Sequence, residues 1–111
     1  MALVPGSSSR TYRFVSHHPA ADTAAVASLP AITDEHICVQ RVDFSYDNDF
    51  AGSLTITDGT DTWKVFVTKS GPGPIFGGDA PIFVGAKGAA VTVTLADPGS
   101  GKIGTVNVLY Y

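Results

Sequence analysis

Short apolar segments with a period of two residues recur from Ile37 to Tyr111, and each segment ends at Gly, Asp, Asn or Pro. No helical pattern separates them. Strands of this length can close a core only by pairing with their neighbours across tight turns. The sequence therefore predicts an all-β fold, a jelly-roll-like antiparallel β-sandwich with an extended N-terminal arm.

The composition indicates a surface with few charges. A chain of 111 residues has room for one domain, and only 15% of its residues are charged, against about 25% in an average soluble domain. Much of the surface must then consist of Ser, Thr, Gly and apolar atoms. Such a surface is either prone to aggregation or covered by a partner in an oligomer or a larger assembly, and we expect the second.

Charge and hydropathy argue against two classes of partner. The formal net charge is −3, and no basic run is present that could follow a phosphate backbone, so nucleic acid is not expected. No apolar run approaches the roughly 18 to 20 residues that span a bilayer, so no membrane partner is expected. The first residues lack the charged and apolar regions of a secretory signal, which predicts synthesis in the cytosol.

The first third of the chain differs from the rest. We predict an N-terminal arm and linker over residues 1–33 and the sandwich domain over residues 34–111. The Ala-rich stretch Asp22–Ala27 could form one or two helical turns before Pro30 ends it. Two interpretations stay open for the alternating segment Thr11–Val15: an arm that docks on a neighbouring subunit, or the first edge strand of the chain's own sheet.

Individual strands follow from the alternation after residue 36. In Ile37–Tyr46 the apolar positions change from odd to even near Gln40 and Arg41, which predicts a β-bulge. A hairpin is predicted from the alternating apolar residues on both sides of Asp58–Asp61, with Gly59 at positive φ. The cleanest alternating strand is Val91–Leu95, and Val106–Tyr110 is predicted to be the last strand.

The stretch between these strands is rich in Gly and Pro. Because two prolines remove two backbone donors, Gly71–Pro74 is predicted to forbid regular pairing and to cross between the sheets. Ile75, Phe76 and the segment Ile82–Val84 should then form short edge segments that place aromatic side chains at one rim.

No constellation of side chains predicts catalysis or metal binding. His17, His18 and His36 lack the spacing of a ligand set, and Asp47–Asp49 has the composition of a turn and lacks the carboxylate pattern of a calcium loop. Cys38 lies in an apolar run and is expected to be a buried small hydrophobe. We expect no enzyme activity, no catalytic residue, no metal and no cofactor.

Several segments together carry a family resemblance: Ser53–Gly59, Trp63–Val67, Gly71–Ile75, Ala90–Ala96 and Gly101–Val108. Their strand and turn patterns resemble the small β-sandwich structural proteins of tailed bacteriophage particles. The resemblance implies a jelly-roll-like module that decorates a capsid or attaches a fibre, and such modules are commonly trimers. It covers roughly residues 36 to 111.

The resemblance implies a non-enzymatic virion structural protein on the surface of a tailed phage or phage-like particle. Its expected partners are further copies of itself, as a homotrimer, and the major capsid protein or another virion protein. Aromatic residues are enriched at the buried centres of interfaces, and the predicted interface anchors are Tyr12, Phe14, Phe66, Tyr110 and Tyr111.

A carbohydrate-binding or receptor-binding β-sandwich of a tail or fibre is the alternative. In that case a glycan would be the partner, and exposed aromatic rings would stack on its sugars. The candidate rings are Trp63, Phe66, Phe76 and Phe83.

Overall fold

Two antiparallel β-sheets pack face to face in the computed structural model, which describes residues 11–47, 52–67, 71–98 and 101–111. The strands in the described residues are β1 (Arg13–His17), β2 (Ala25–Leu29), β3 (Cys38–Tyr46), β4 (Gly52–Thr57), β5 (Thr62–Val67), β6 (Gly71–Phe76), β7 (Phe83–Val84), β8 (Val91–Leu95) and β9 (Gly104–Tyr110). The first sheet has the order β1-β9-β3-β6, with the short β7 also paired to β3, and the second has the order β2-β8-β4-β5. The predicted all-β sandwich is confirmed.

The strand pairing is that of one long hairpin rolled up. From the tip outward, β4 pairs with β5, β3 with β6, β2 with β8 and β1 with β9. These pairs fall alternately in the two sheets, and the roll is closed by β3 against β9 and β4 against β8. The result is the double-sheet arrangement of a jelly roll.

The core lies between the two sheets and follows the period-two pattern. Alternate residues of β8 and β9 are buried, as the sequence predicts. The register of β3 against β9 shifts between Val39 and Arg41, which confirms the bulge. Gly59 has φ 94° in the hairpin loop between β4 and β5, which is confirmed as well.

The segment before residue 34 contributes two edge strands. β1 pairs with β9 over its full length, and β2 pairs with β8. The edge-strand interpretation of Thr11–Val15 therefore agrees with β1, and β2 adds a second edge strand. Residues 1–10 of the predicted arm lie outside the described residues.

The helical prediction for Asp22–Ala27 is wrong. Ala25 and Ala27 lie in β2 and are buried together with Leu29, a spacing of two residues that places all three on the inner face of a strand. Asp22 has φ 63°, which breaks helical geometry just before the strand. Burial against the opposite sheet outweighs the helical propensity of Ala.

The prediction that Gly71–Pro74 cannot pair regularly is also wrong, although the chain does cross between the sheets here. β6 pairs with β3 in an antiparallel register. The Gly77 N–H donates to the Gln40 carbonyl at 3.0 Å. Because bonding direction alternates along an antiparallel strand, Gly71, Gly73 and Ile75 face β3, whereas the nitrogens of Pro72 and Pro74 point to the free edge.

Tyr46 joins the two sheets at one end of the core. Its side chain is 2% exposed, and its hydroxyl donates to the Ala96 carbonyl, which follows β8, at 2.9 Å. Burial, followed by the nearby Asp97 carboxylate, raises the pKa of Tyr46 to about 12. Gly104 lies opposite Tyr46, and a Cβ there would lie 3.0 Å from the Tyr46 ring. This end of the sandwich therefore depends on a neutral phenol.

Replacing Tyr46 with Phe is expected to lower the free energy of unfolding by about 1 kcal/mol at neutral pH, because the Ala96 carbonyl loses its donor. The folded pKa of about 12 exceeds the ordinary 10.0, so the wild type should also lose stability as the pH rises from 10.0 towards 12. The Tyr46→Phe variant should not show the part of this alkaline loss of stability that comes from ionisation of Tyr46. Urea unfolding at neutral and alkaline pH measures both effects, and equal alkaline slopes would contradict the assignment.

Candidate interaction surfaces

Two of the three histidines considered as possible ligands bond to the backbone. The Nδ1 atom of His17 accepts a hydrogen bond from the Val26 N–H at 2.8 Å and so links β1 to β2. Nδ1 of His36 lies 2.8 Å from the Gly85 carbonyl. Over the described ranges, no three His, Cys, Asp or Glu side chains gather where they could hold a metal ion. No helix in those ranges is long and apolar enough to cross a membrane.

Asp58 organises the loops at one end of the sandwich. Its Oδ1 accepts hydrogen bonds from the N–H groups of Asp61 at 2.7 Å and Thr60 at 2.9 Å, within the hairpin loop. Its Oδ2 accepts from the Ala86 N–H at 2.8 Å, in the loop after β7. The hydrogen bonds from Asp61, Thr60 and Ala86, in decreasing order of effect, lower the pKa of the Asp58 carboxyl. The carboxylate therefore ties two loops together.

Asp47 performs a similar task after β3. Its N–H donates to the Ile103 carbonyl at 2.9 Å, and its Oδ1 accepts from the Ile103 N–H at 2.7 Å. Asp47 thus holds the chain that enters β9. Asn48 and Asp49, the other members of the predicted turn, lie outside the described residues.

An apolar patch covers one end of the outer face of the first sheet. Phe83 and Tyr110 point into the core, so the residues that follow them, Val84 and Tyr111, face outward. Tyr12 and Phe14 share that outer face because they lie beside Tyr111 and Leu109 in the register of β1 against β9. We call this surface the outer patch; it consists of Tyr12, Phe14, Cys38, Val84, Leu109 and Tyr111. Cys38 is only half-buried here, so the prediction that it is a buried core residue is wrong.

Local contacts hold the outer patch in place. Tyr111 exchanges two backbone hydrogen bonds with Cys38, at 2.7 and 2.9 Å, so the last residue is fixed in the sheet. The Tyr12 ring meets the Tyr111 ring edge to face, with centroids 5.3 Å apart. Phe14 is nevertheless 62% exposed, Val84 52% and Tyr12 43%. The patch is therefore ordered by its neighbours and open to a partner.

The structure distributes the predicted interface residues over three places. Tyr12, Phe14 and Tyr111 come together in the outer patch. Phe66 lies on β5 and is 79% exposed. The Tyr110 side chain is 8% exposed and belongs to the core, so it offers little surface to a partner. Val84 and Leu109 were missed, although each adjoins an inward-facing aromatic residue whose alternation would have revealed it.

The outer face of the second sheet is almost uncharged. Its two central rows run across all four strands in register. Lys64 on β5 provides the charge in these rows, and its Nζ lies 5.6 Å from the centroid of the Phe66 ring. The first row contains Ser28, Thr92, Thr57 and Thr62, and the second contains Val26, Thr94, Thr55 and Lys64.

The aromatic rings proposed to stack on sugars do not form a shared platform. Phe83 is 9% exposed and belongs to the core, so its predicted place at a rim is wrong. Trp63 is partly buried and packs against the core. The side chain of Phe76 lies outside the described part of the structure. Phe66 is therefore the candidate ring that the structure shows in the open.

Comparison with known proteins gives distant structural neighbours. No protein-family model and no curated protein sequence matches the chain. The structure of TmCBM61 in complex with β-1,4-galactotriose aligns at 18% identity with a TM-score of 0.35, covering 86% of this chain and 68% of the other. CapF with the inhibitor 3-isopropenyl-tropolone aligns at 13% identity with a TM-score of 0.30, covering 86% of this chain and 27% of the other.

Replacing Asp58 with Asn is expected to lower the melting temperature. The amide can keep one acceptor for the hairpin loop, but its NH₂ group cannot accept the Ala86 N–H. Because the folded pKa of Asp58 lies below the ordinary 3.8, its contribution is present above pH 3.8 and is lost as the pH falls through the folded value. Thermal unfolding of both proteins at neutral and acidic pH measures this. A difference in stability that does not shrink in acid would contradict it.

Proposed function

We propose that this chain is a non-enzymatic structural protein of a tailed phage or phage-like particle, which self-associates and attaches to the outer surface of that particle. The outer patch carries the proposal, because it is an ordered and exposed apolar surface on an otherwise weakly charged protein. The sequence resemblance supplies the class of particle. The trimer that the resemblance implies stays a prediction.

The chemistry of the outer patch supports attachment by burial. Its aromatic and aliphatic side chains gain about 25 cal/mol for each Å² of apolar surface removed from water, before the costs of association. Arg41 and Asp43 lie next to it on the same face and pair with each other at 3.0 Å. The partner therefore needs a complementary apolar surface and does not need to neutralise a large charge.

The side chains with shifted pKa values also support a structural role. Tyr46 uses its hydroxyl to join the sheets, and Asp58 uses both carboxylate oxygens to hold loops. Both groups are therefore committed to hydrogen bonds within the fold. This use of polar groups favours a module whose surface, and not a cleft, makes the functional contact.

Replacing Phe14 with Ser is expected to weaken attachment to the particle about tenfold or more, since truncating a central interface aromatic commonly costs more than about 1.4 kcal/mol. The matched control is Ile103→Ser, which changes an exposed apolar residue before β9, outside the patch. Purified particles that lack the protein are titrated with each variant and sedimented. Equal binding of the two variants would argue against the patch, and absence of wild-type binding would argue against the proposed function.

A carbohydrate-binding module is the second candidate, and the exposed Phe66 ring beside Lys64 is the observation that favours it. If this candidate is correct, a glycan array should show binding by the wild type and loss of binding by Phe66→Ala, because the stacking face is removed. Phe14→Ala is the matched control and should bind normally. A silent array together with sedimentation on particles would reject the glycan candidate.

A further inference from the structure

Among the described residues, the rolled hairpin leaves β1 at one edge of the first sheet and β6 with the short β7 at the other, and it leaves β2 and β5 at the edges of the second sheet. An edge strand presents unpaired N–H and C=O groups that can pair with another chain, so soluble proteins usually block them. Two of these edges carry recognisable blocks. Pro72 and Pro74 remove donors from the free edge of β6, and the His17 side chain occupies the Val26 N–H of β2.

Among the described residues, β5 and the five-residue β1 have neither kind of block, and β5 is the longer of the two. It is six residues long, contains no proline, and carries Lys64 as its one charge. It also carries Phe66, which at 79% exposure is the most exposed large apolar side chain among the described residues. A six-residue edge with these properties favours strand addition.

The hydrogen bonds identify which groups of β5 are free to pair. The Ala96 N–H donates to the Ser53 carbonyl at 2.9 Å, so the odd-numbered residues of β4 face β8 and its even-numbered residues face β5. In the register of β4 with β5, the bonded residues of β5 are then Trp63, Val65 and Val67. The backbone groups of the alternate residues, Thr62, Lys64 and Phe66, point to the free edge.

We propose that β5 pairs in an antiparallel manner with β5 of a second copy of this chain, around a twofold axis that passes beside Val65. This inference rests on the self-association in the proposed function, names the contact that makes it, and gives a dimer in place of the trimer that the resemblance implies. In this register Lys64 of each copy lies opposite Phe66 of the other, which gives two equivalent pairs. The two residues of each pair exchange backbone hydrogen bonds. The two four-stranded sheets become one continuous sheet of eight strands.

Charge and strand overlap select this register over its two neighbours. An axis at Lys64 would place the two copies of Lys64 opposite each other, and like charges directly opposite each other destabilise a strand pair. An axis at Phe66 would overlap β5 with its copy only over Val65–Val67, whereas the axis at Val65 overlaps them over Trp63–Val67. With the axis at Val65, each ammonium group also faces the ring of Phe66 from the other copy, in addition to its own Phe66 ring at 5.6 Å.

A proline scan of the edges tests the contact. Lys64→Pro removes one donor from the free edge of β5 and no bond to β4. Ser16→Pro is the matched control. The Asp47 N–H donates to the Ile103 carbonyl, so the odd-numbered residues of β9 face β3 and its even-numbered residues face β1. In the register of β1 with β9, the Ser16 N–H therefore points to the free edge of β1. Light scattering at micromolar concentration should give the mass of two chains for the wild type and Ser16→Pro, and half that mass for Lys64→Pro.

Disulfide trapping tests the register without a proline. In a Cys38→Ser background, Lys64→Cys and Phe66→Cys should form a disulfide with each other when the two variants are mixed, and neither variant alone should cross-link. A cross-link of either variant with itself would overturn the register, and dissociation by Ser16→Pro alone would move the contact to β1. A wild-type mass of one or three chains would overturn the inference, while sedimentation on particles would leave the proposed function intact.

Discussion

The pairing of β3 with β9 is the constraint on which the rest of the molecule depends. It joins the two arms of the rolled hairpin, since β3 comes from the first arm and β9 from the second. The same pairing carries the last residue into the sheet, where Tyr111 exchanges backbone hydrogen bonds with Cys38. The outer patch exists because Tyr12, Tyr111, Cys38 and Val84 meet across four strands held together by this pairing. The bulge at Gln40 belongs to the same pairing. It adds one residue to β3, so that Val39 and Val42 both point into the core.

Period-two patterning was enough to predict the sandwich, the bulge and the hairpin, because a strand with one buried face alternates apolar and polar residues along the sequence. It failed where the decisive information was the direction of a backbone group. Pro72 and Pro74 looked incompatible with a strand, but their spacing of two residues puts both nitrogens on the free edge. The prediction for the Ala-rich β2 failed for another reason. Small Ala side chains favour a helix by propensity, and their burial in a strand becomes evident only when the opposite sheet is known to cover them. Of the candidate surface, the aromatic members could be predicted by residue type, whereas Val84 and Leu109 follow by alternation once Phe83 and Tyr110 are known to point into the core.

Low charge and edge protection are linked in this protein. The outer face of the second sheet carries rows of Ser and Thr, so charge does little to keep another sheet away from it. Two of the other edges are protected by local chemistry instead, through prolines on β6 and through His17 of β1, whose side chain bonds to the free edge of β2. An edge left open in a molecule that closes other edges is therefore informative about association, and the position of Phe66 on that edge is consistent with a contact that needs apolar area as well as backbone pairing.

The two proposed contacts are geometrically compatible. The outer patch lies on the first sheet near β1, whereas β5 lies at the far edge of the second sheet, because β1 and β2 lie against each other on the opposite side. A twofold axis perpendicular to the paired β5 strands keeps each face of the sandwich on its own side of the dimer. The outer patches of both copies would then point in the same direction, towards one surface. Linking two weak apolar contacts in this way makes the second contact intramolecular, which can raise the avidity by about 10² to 10⁴ without any new contact. A dimer with a small patch on each chain would thus stay bound to a particle from which a single chain would dissociate.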